Sequence, residues 1–172
     1  MSDKVISYLR RTAEHKANPE LAYRYDPQLV RHLYDVHRIV DANPSVIGEV
    51  IPIFAETLVQ KIQQYGGEGF PVFNERPLGV LGDELGILAS DAEARKNYAV
   101  FVDDHVYGSK PSFDEVSQTF RKVATEFLAT AAELSLPEQP RQMIAGFGRR
   151  TCPPLLLWCR DLPLVARLPL GK

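Results

Sequence analysis

Leu29-Val30-Arg31-His32-Leu33-Tyr34-Asp35-Val36-His37-Arg38-Ile39 is the stretch on which the fold reading turns. Leu29, Val30, Leu33, Val36, Ile39 and Val40 recur at i, i+3, i+4 and i+7, the spacing of a helix with one face in a core. Arg31, Asp35 and Arg38 recur at the same spacing and share a second, polar face. Opposite charges one turn apart support a helix by only about 0.2–0.5 kcal/mol per pair. The apolar stripe therefore fixes this segment, and the charges on its other face are available for something else.

Working outward, the same periodicity recurs along the chain. Ser2 or Asp3 can cap a first helix over 3–15, with Val5, Ile6 and Leu9 inward and Asn18-Pro19 as its stop. Asp26-Pro27 reads as an N-cap followed by proline at the first helical position, opening a helix over 27–41. A third helix is expected over 46–65, with Pro52 in its first turns, where a missing N–H costs least. Residues 66–81 are rich in Gly and Pro and read as a long loop, followed by a short helical segment near 83–88. Ser90 or Asp91 can cap a helix over 91–107 that Gly108 ends. Ser112 and Glu115 form a capping box at the head of a helix over 112–134. The expected core includes Leu33, Val36, Ile39, Phe54, Leu58, Phe101, Val116 and Phe120. From Leu136 on, Pro137, Pro140, Pro153, Pro154, Pro163 and Pro169 interrupt every apolar run. Beyond a short helix near 139–145, the tail is expected to be irregular. The class is all-α, an irregular bundle of about five helices over 1–135, with a proline-broken tail over 136–172.

Composition narrows the function classes. A chain of 172 residues is long enough for one domain that buries about 70% of its unfolded surface. The net charge of −2 hides an acidic middle and a basic tail, with no uniform run that would mark a nucleic-acid footprint. Cys152 and Cys159 do not have zinc-ligand spacing, and no further cysteine could complete a site. The N-terminus lacks an apolar run of signal-peptide length, and Leu155 to Trp158 is far short of a membrane span. The expectation is a cytoplasmic protein with no membrane partner.

Several chemistries lack their residues. There is no Gly-x-x-x-x-Gly-Lys phosphate loop and no Gly-x-Ser-x-Gly elbow. Gly66-Gly67-Glu68-Gly69 lacks the strand before it and the helix after it that a dinucleotide site needs. A metal-dependent hydrolase built on His32, Asp35 and His37 is a minor reading, because residues five apart on a helix face different ways.

Three segments, in order, resemble the C-terminal half of the AbiEii/AbiGii-type nucleotidyltransferase toxins of type IV toxin–antitoxin pairs. Asp3-Lys4-Val5-Ile6-Ser7-Tyr8-Leu9-Arg10-Arg11 is similar to the family's Glu-Lys helix. Arg31-His32-Leu33-Tyr34-Asp35-Val36 is similar to its Arg-x-x-Tyr-Asp-Leu helix. Tyr98-Ala99-Val100-Phe101, running through Val106-Tyr107-Gly108 into Pro111-Ser112-Phe113-Asp114-Glu115, resembles its Tyr-x-x-(Phe/Met)…Gly…Pro-Ser-Phe-x-Glu signature. Together they span residues 3–130. The resemblance implies Lys4 and Asp35 as catalytic residues, with Lys4, Arg10, Arg11 and Arg31 as nucleotide contacts. It also implies Mg²⁺ and an NTP as cofactors of the intact enzyme, with tRNA as the acceptor. Such chemistry needs cations against polyphosphate and carboxylates that position the metal.

The departures are as informative as the matches. The family's strand-rich half, with its Gly-Ser turn and paired Asp-x-Asp carboxylates, precedes these helices. This chain has no Asp-x-Asp, and Gly108-Ser109 follows a predicted helix rather than a strand. His32 stands where the family's second motif has an acidic residue. The chain thus reads as a helical half without its catalytic partner, inactive alone and holding neither metal nor NTP by itself. The composition after Arg149 would suit a reading-frame accident. A rival reading is a helical interaction module that binds an antitoxin or a separate catalytic half.

Overall fold

In the computed structural model, residues 1–20, 25–67 and 70–133 are described, and they form helices joined by short turns with no strand among them. In chain order these are α1 (Ser2–Ala17), a 3-10 turn (Pro27–Val30), α2 (Arg31–Ala42) and α3 (Val46–Tyr65). Then come α4 (Pro71–Glu75), α5 (Pro77–Ile87), a second 3-10 turn (Leu88–Ser90), α6 (Ala92–His105) and α7 (Phe113–Glu133). The all-α expectation holds. The proline-broken tail and its short helix near 139–145 lie outside the described residues.

α7 is the spine. The capping box forms as expected: Ser112 N–H and Oγ donate to Glu115 Oε2, and Glu115 N–H donates to Ser112 Oγ. From there Phe113, Val116, Phe120, Val123, Phe127 and Ala131 recur at helical spacing, and all are buried. This stripe packs against α2, α3 and α5. Phe120 meets Tyr8 of α1 edge-on at 5.3 Å, and Phe127 meets Phe54 of α3 at 4.9 Å. Such geometry adds about 0.5–1.5 kcal/mol per pair beyond burial. Leu33 and Val36 of α2 and Leu58 of α3 complete the core as expected.

Two expected core residues are only half-buried, Ile39 and Phe101. Ile39 lies in the last turn of α2, whose fully buried residues come earlier, at Leu33 and Val36. Phe101 belongs to α6, which sits at the margin of the bundle, packed mainly against the Pro27–Val30 turn. Its ring packs at the edge of the core, beside buried Tyr98 at 6.3 Å. It is flanked on the outside by half-buried Tyr34, edge-on at 5.8 Å, and by exposed His105, stacked at 5.6 Å.

The largest correction concerns 66–81, expected as a loop. Pro71 and Pro77 each occupy the start of a helix, where the missing N–H has no intrahelical partner to lose. Phe70, Phe73, Val80 and Leu81 are buried there. Gly66 permits the approach of α4 to the end of α3: a Cβ at this position would stand 2.6 Å from the Ile62 carbonyl oxygen and 2.9 Å from Asn74 Cβ. Pro52 falls within the first two turns of the expected helix, but its missing N–H is not free of cost. It lies inside α3, seven residues in, where it leaves the Gly48 carbonyl without its i+4 donor.

Helix ends are fixed by a few side chains. Neither Ser2 nor Asp3 caps α1, because the N-cap is Met1 and Ser2 is already helical and buried. Asp26 caps the Pro27–Val30 turn through the Gln28 N–H, and α2 continues from it. Of the two candidates for α6, Asp91 is the cap, accepting from the Ala94 N–H at 2.9 Å. Asp91 also receives Lys16 Nζ at 2.8 Å, and Lys16 reaches buried Glu84 of α5 at 2.6 Å. Burial opposes the Lys16 charge, but its two carboxylate partners outweigh it and raise the ammonium pKa. Burial likewise raises the Glu84 carboxyl, against the pull of Lys16. One lysine thus joins the end of α1 to α5 and to the start of α6.

Gly82 and Gly86 lie inside α5 with open space where a Cβ would go. Gly82→Ala and Gly86→Ala are each expected to raise stability by about 0.5–1 kcal/mol in denaturant titrations. Gly108, at φ 91°, should give the opposite sign with alanine, because a Cβ is strained there however open the space. Phe120→Ala should cost about 3–5 kcal/mol, against a much smaller loss for Phe101→Ala.

Candidate functional site

Lys4 and Asp35 are 31 residues apart and meet across the α1–α2 interface, with Lys4 Nζ 2.6 Å from Asp35 Oδ2. Each keeps about a third of its side chain in water (33% and 35%). An ion pair this exposed contributes about 0–1 kcal/mol. Lys4 and Asp35 are therefore brought together by the packing of their helices more than by their attraction.

Around this pair the surface is densely charged. On the α3 side, Asp3 accepts Lys61 Nζ at 2.6 Å. The Lys61 hydrogen bond, outweighing partial burial, holds the Asp3 carboxyl below its ordinary range. Arg31 is 3.8 Å from Asp26, a loose pair that leaves 44% of its side chain exposed. Between these groups lies His32, whose Nδ1 is buried and has no hydrogen-bond partner. Burial, and then the charges of Lys4 and Arg31, push the His32 imidazole down to about 4. At neutral pH the ring is therefore uncharged. Where the family resemblance leads one to expect a carboxylate, this chain places a neutral ring beside two cations.

The four basic residues implied as nucleotide contacts do not gather as one set. Lys4 and Arg31 lie near each other, both acting on His32. Arg11 is seven residues from Lys4 on α1, two turns and about 10 Å further along the same face. It is half-buried and enters no ion pair among the described residues. Arg10 is elsewhere. Six residues from Lys4, it is turned by about 240° around the helix and lies against α3. Arg10 is 6% exposed, and its guanidinium donates to Glu14 at 2.6 Å and sits 4.0 Å above the Tyr65 ring. Burial lowers its pKa, and Nε has no partner. The contacts shown for Arg10 are structural.

His37 points away from His32, to Thr119 of α7 at 3.0 Å between His37 Nδ1 and Thr119 Oγ1. Among the described residues, no group of three or more His, Cys, Asp or Glu could hold a metal ion. The third motif builds the α6–α7 corner. Tyr98 Oη donates to the Pro111 carbonyl at 3.1 Å, while Arg95 pairs with Asp114 at 2.8 Å and stacks over Phe113 at 4.6 Å.

Sequence reasoning missed Lys61 and the Lys16–Glu84–Asp91 cluster. Lys61 and Tyr65 are one turn apart on α3, so their shared face was readable, but not its meeting with α1. Nothing in the local pattern joins Lys16 to residues 68 and 75 positions away.

The His32 shift gives a pH dependence with a definite sign. Between pH 6.5 and about 4, the unfolded chain binds a proton at His32 that the folded chain does not. Stability is therefore complete above pH 6.5 and falls as the pH drops towards 4. His32→Gln should flatten this slope in denaturant titrations across the window, and the His32 ring signals should titrate with a midpoint near 4.

Comparison of the chain with known protein-family models, with curated proteins and with solved structures finds no match to any of them.

Proposed function

We propose that the chain is the helical region of a nucleotidyltransferase-type toxin, acting in the cytoplasm. In this reading it supplies cationic contacts to a nucleotide and its RNA acceptor, and a separate strand-rich half supplies the metal-binding carboxylates. One observation carries the reading: residues from the first two resembling motifs, Lys4 and Asp35, share one surface point at 2.6 Å. Arg31 flanks it, and Arg11 continues its face along α1. A cation held by packing, exposed to solvent and not needed for stability suits a phosphate contact. No helix among the described residues is long and apolar enough to cross a membrane.

The described residues of this chain do not by themselves fit a Mg²⁺ site. Near Lys4 the candidate ligands are Asp3, His32 and Asp35, and both carboxylates are already matched by lysines. Metal chemistry is accordingly assigned to the other half. The role left to this chain is to hold phosphate through Lys4, with Asp35 positioning the Lys4 ammonium.

The test is transfer of labelled nucleotide from NTP to tRNA in the presence of Mg²⁺. The chain alone should transfer none, and its expression alone should not arrest growth. Addition of the strand-rich half of a nucleotidyltransferase of this family should restore transfer. In that system Lys4→Ala should lower transfer at least tenfold with little change in thermal midpoint. Arg10→Ala should lower the midpoint instead. Robust transfer by the isolated chain, or restored transfer indifferent to Lys4→Ala, would overturn the proposal.

A further inference from the structure

Among the described residues, His37 is the one histidine with a hydrogen-bonded ring nitrogen, Nδ1, which lies 3.0 Å from Thr119 Oγ1. Thr119 Oγ1 is also 3.1 Å from the carbonyl oxygen of Glu115, one turn back along α7. A hydroxyl has one hydrogen, and a carbonyl oxygen can only accept. Both contacts are hydrogen bonds in a single arrangement: Thr119 donates to the Glu115 carbonyl and accepts from His37 Nδ1–H. The tautomer of the neutral ring is thereby fixed, and its lone pair sits on Nε2. His37 is half-buried, and its Nε2 neither bonds to a described residue nor belongs to the buried atoms left without a partner. That nitrogen therefore reaches solvent.

The groups around the ring suit a nucleophile. Hydrogen bonds from Ser112, and after them the charge of nearby His37, hold the Glu115 carboxyl below its ordinary range, so a carboxylate stands close to the imidazole. A ring that attacks through Nε2 becomes cationic. An acceptor on Nδ1–H with a carboxylate nearby stabilises that charge, as behind the histidine of a catalytic triad. Lys122, one turn along α7 from Thr119, is exposed and enters no ion pair among the described residues. The other three histidines lack this setting. His15 and His32 bury Nδ1 with no partner, and His105 lies exposed against the Phe101 ring. A metal ion would need more ligands, and the described residues offer no group of three. We propose that His37 Nε2 is a phosphoryl-acceptor site, modified by donors of the phosphoramidate class, which includes a phosphohistidine on another protein. The Nε2 lone pair attacks phosphorus, and the Nε2–P bond forms as the P–N bond of the donor breaks. The leaving nitrogen departs as a neutral base with the protons it already carries. The ring keeps Nδ1–H, donated to Thr119, and its new positive charge faces Glu115. Neither Lys4 nor Asp35 takes part, so the site stands independently of the nucleotide reading.

The experiment treats the full chain with potassium phosphoramidate and follows each histidine by peptide mass spectrometry at alkaline pH, with the modified nitrogen identified by NMR. Phosphate should appear on His37 Nε2 at least tenfold faster than on His105. Thr119→Val should slow it at least fivefold, Thr119→Ser should restore it, and Lys4→Ala should leave it unchanged. Thr119 is half-buried, and an unchanged thermal midpoint checks that Thr119→Val keeps the fold. Long-range proton–nitrogen correlations in the unaltered chain should place the ring proton on Nδ1, a measurement that needs no variant. A proton on Nε2, equal labelling of His37 and His105, attachment at Nδ1, absence of phosphohistidine, or indifference to Thr119→Val would each overturn the proposal.

Discussion

The contact of Phe120 with Tyr8, edge against face at 5.3 Å, ties the first helix of the chain to the last one described. Everything else is arranged around α7, the helix that carries Phe120. Its buried stripe gives α2, α3 and α5 a common surface, and α1 is held by those same helices. Because α1 and α2 are oriented by this packing, Lys4 and Asp35 meet whatever their mutual attraction contributes. A site whose geometry comes from a core more than from its own ion pair can change partners at little cost in stability.

The two faces of α1 show how one helix serves two purposes. Asp3, Arg10 and Glu14 lie on the side that meets α3, through Lys61 and Tyr65. Lys4 and Arg11 lie on the side that meets α2 and the solvent. Sequence alone places Arg10 and Arg11 side by side as equivalent basic residues. In the fold, one is a buried cation stacked on tyrosine and the other stays near the surface. Six residues of helix separate Arg10 from Lys4, and the rotation this implies could be computed from the sequence. Which side is inward could not, because that depends on α3.

Elsewhere the sequence was legible where local chemistry and burial agreed. The Ser112–Glu115 box and the stripe of Val116, Phe120, Val123 and Phe127 point to the same helix, and that helix formed. Residues 71–81 were not legible as helix, because Pro71, Pro77 and Gly79 lower the helix signal, whereas the helical segment expected from residue 83 is the second half of α5. Only contact with the rest of the bundle turns Phe73 and Leu81 into core. Phe101 shows the reverse error: its periodicity is that of an inward residue, yet α6 has too little bundle on that side to cover it. The pairing of Lys4 with Asp35 was anticipated only as a shared role, through motif resemblance, since no spacing rule spans 31 residues.

Asp91 gives α6 a distinctive place in the dynamics of the molecule. It caps the helix through the Ala94 N–H and at the same time receives Lys16 from α1. Within its first two turns α6 is also tethered by Arg95 to Asp114, and by Tyr98 to Pro111. These are polar links at the margin, whereas α1, α3 and α7 interlock through aromatic core. Amide hydrogen exchange in α6 should therefore proceed by detachment of that helix alone, with an opening free energy below that of global unfolding. α6 is thus a leaf hinged on the bundle: its amides report on Lys16 and Asp91, while those of α7 report on the stability of the whole.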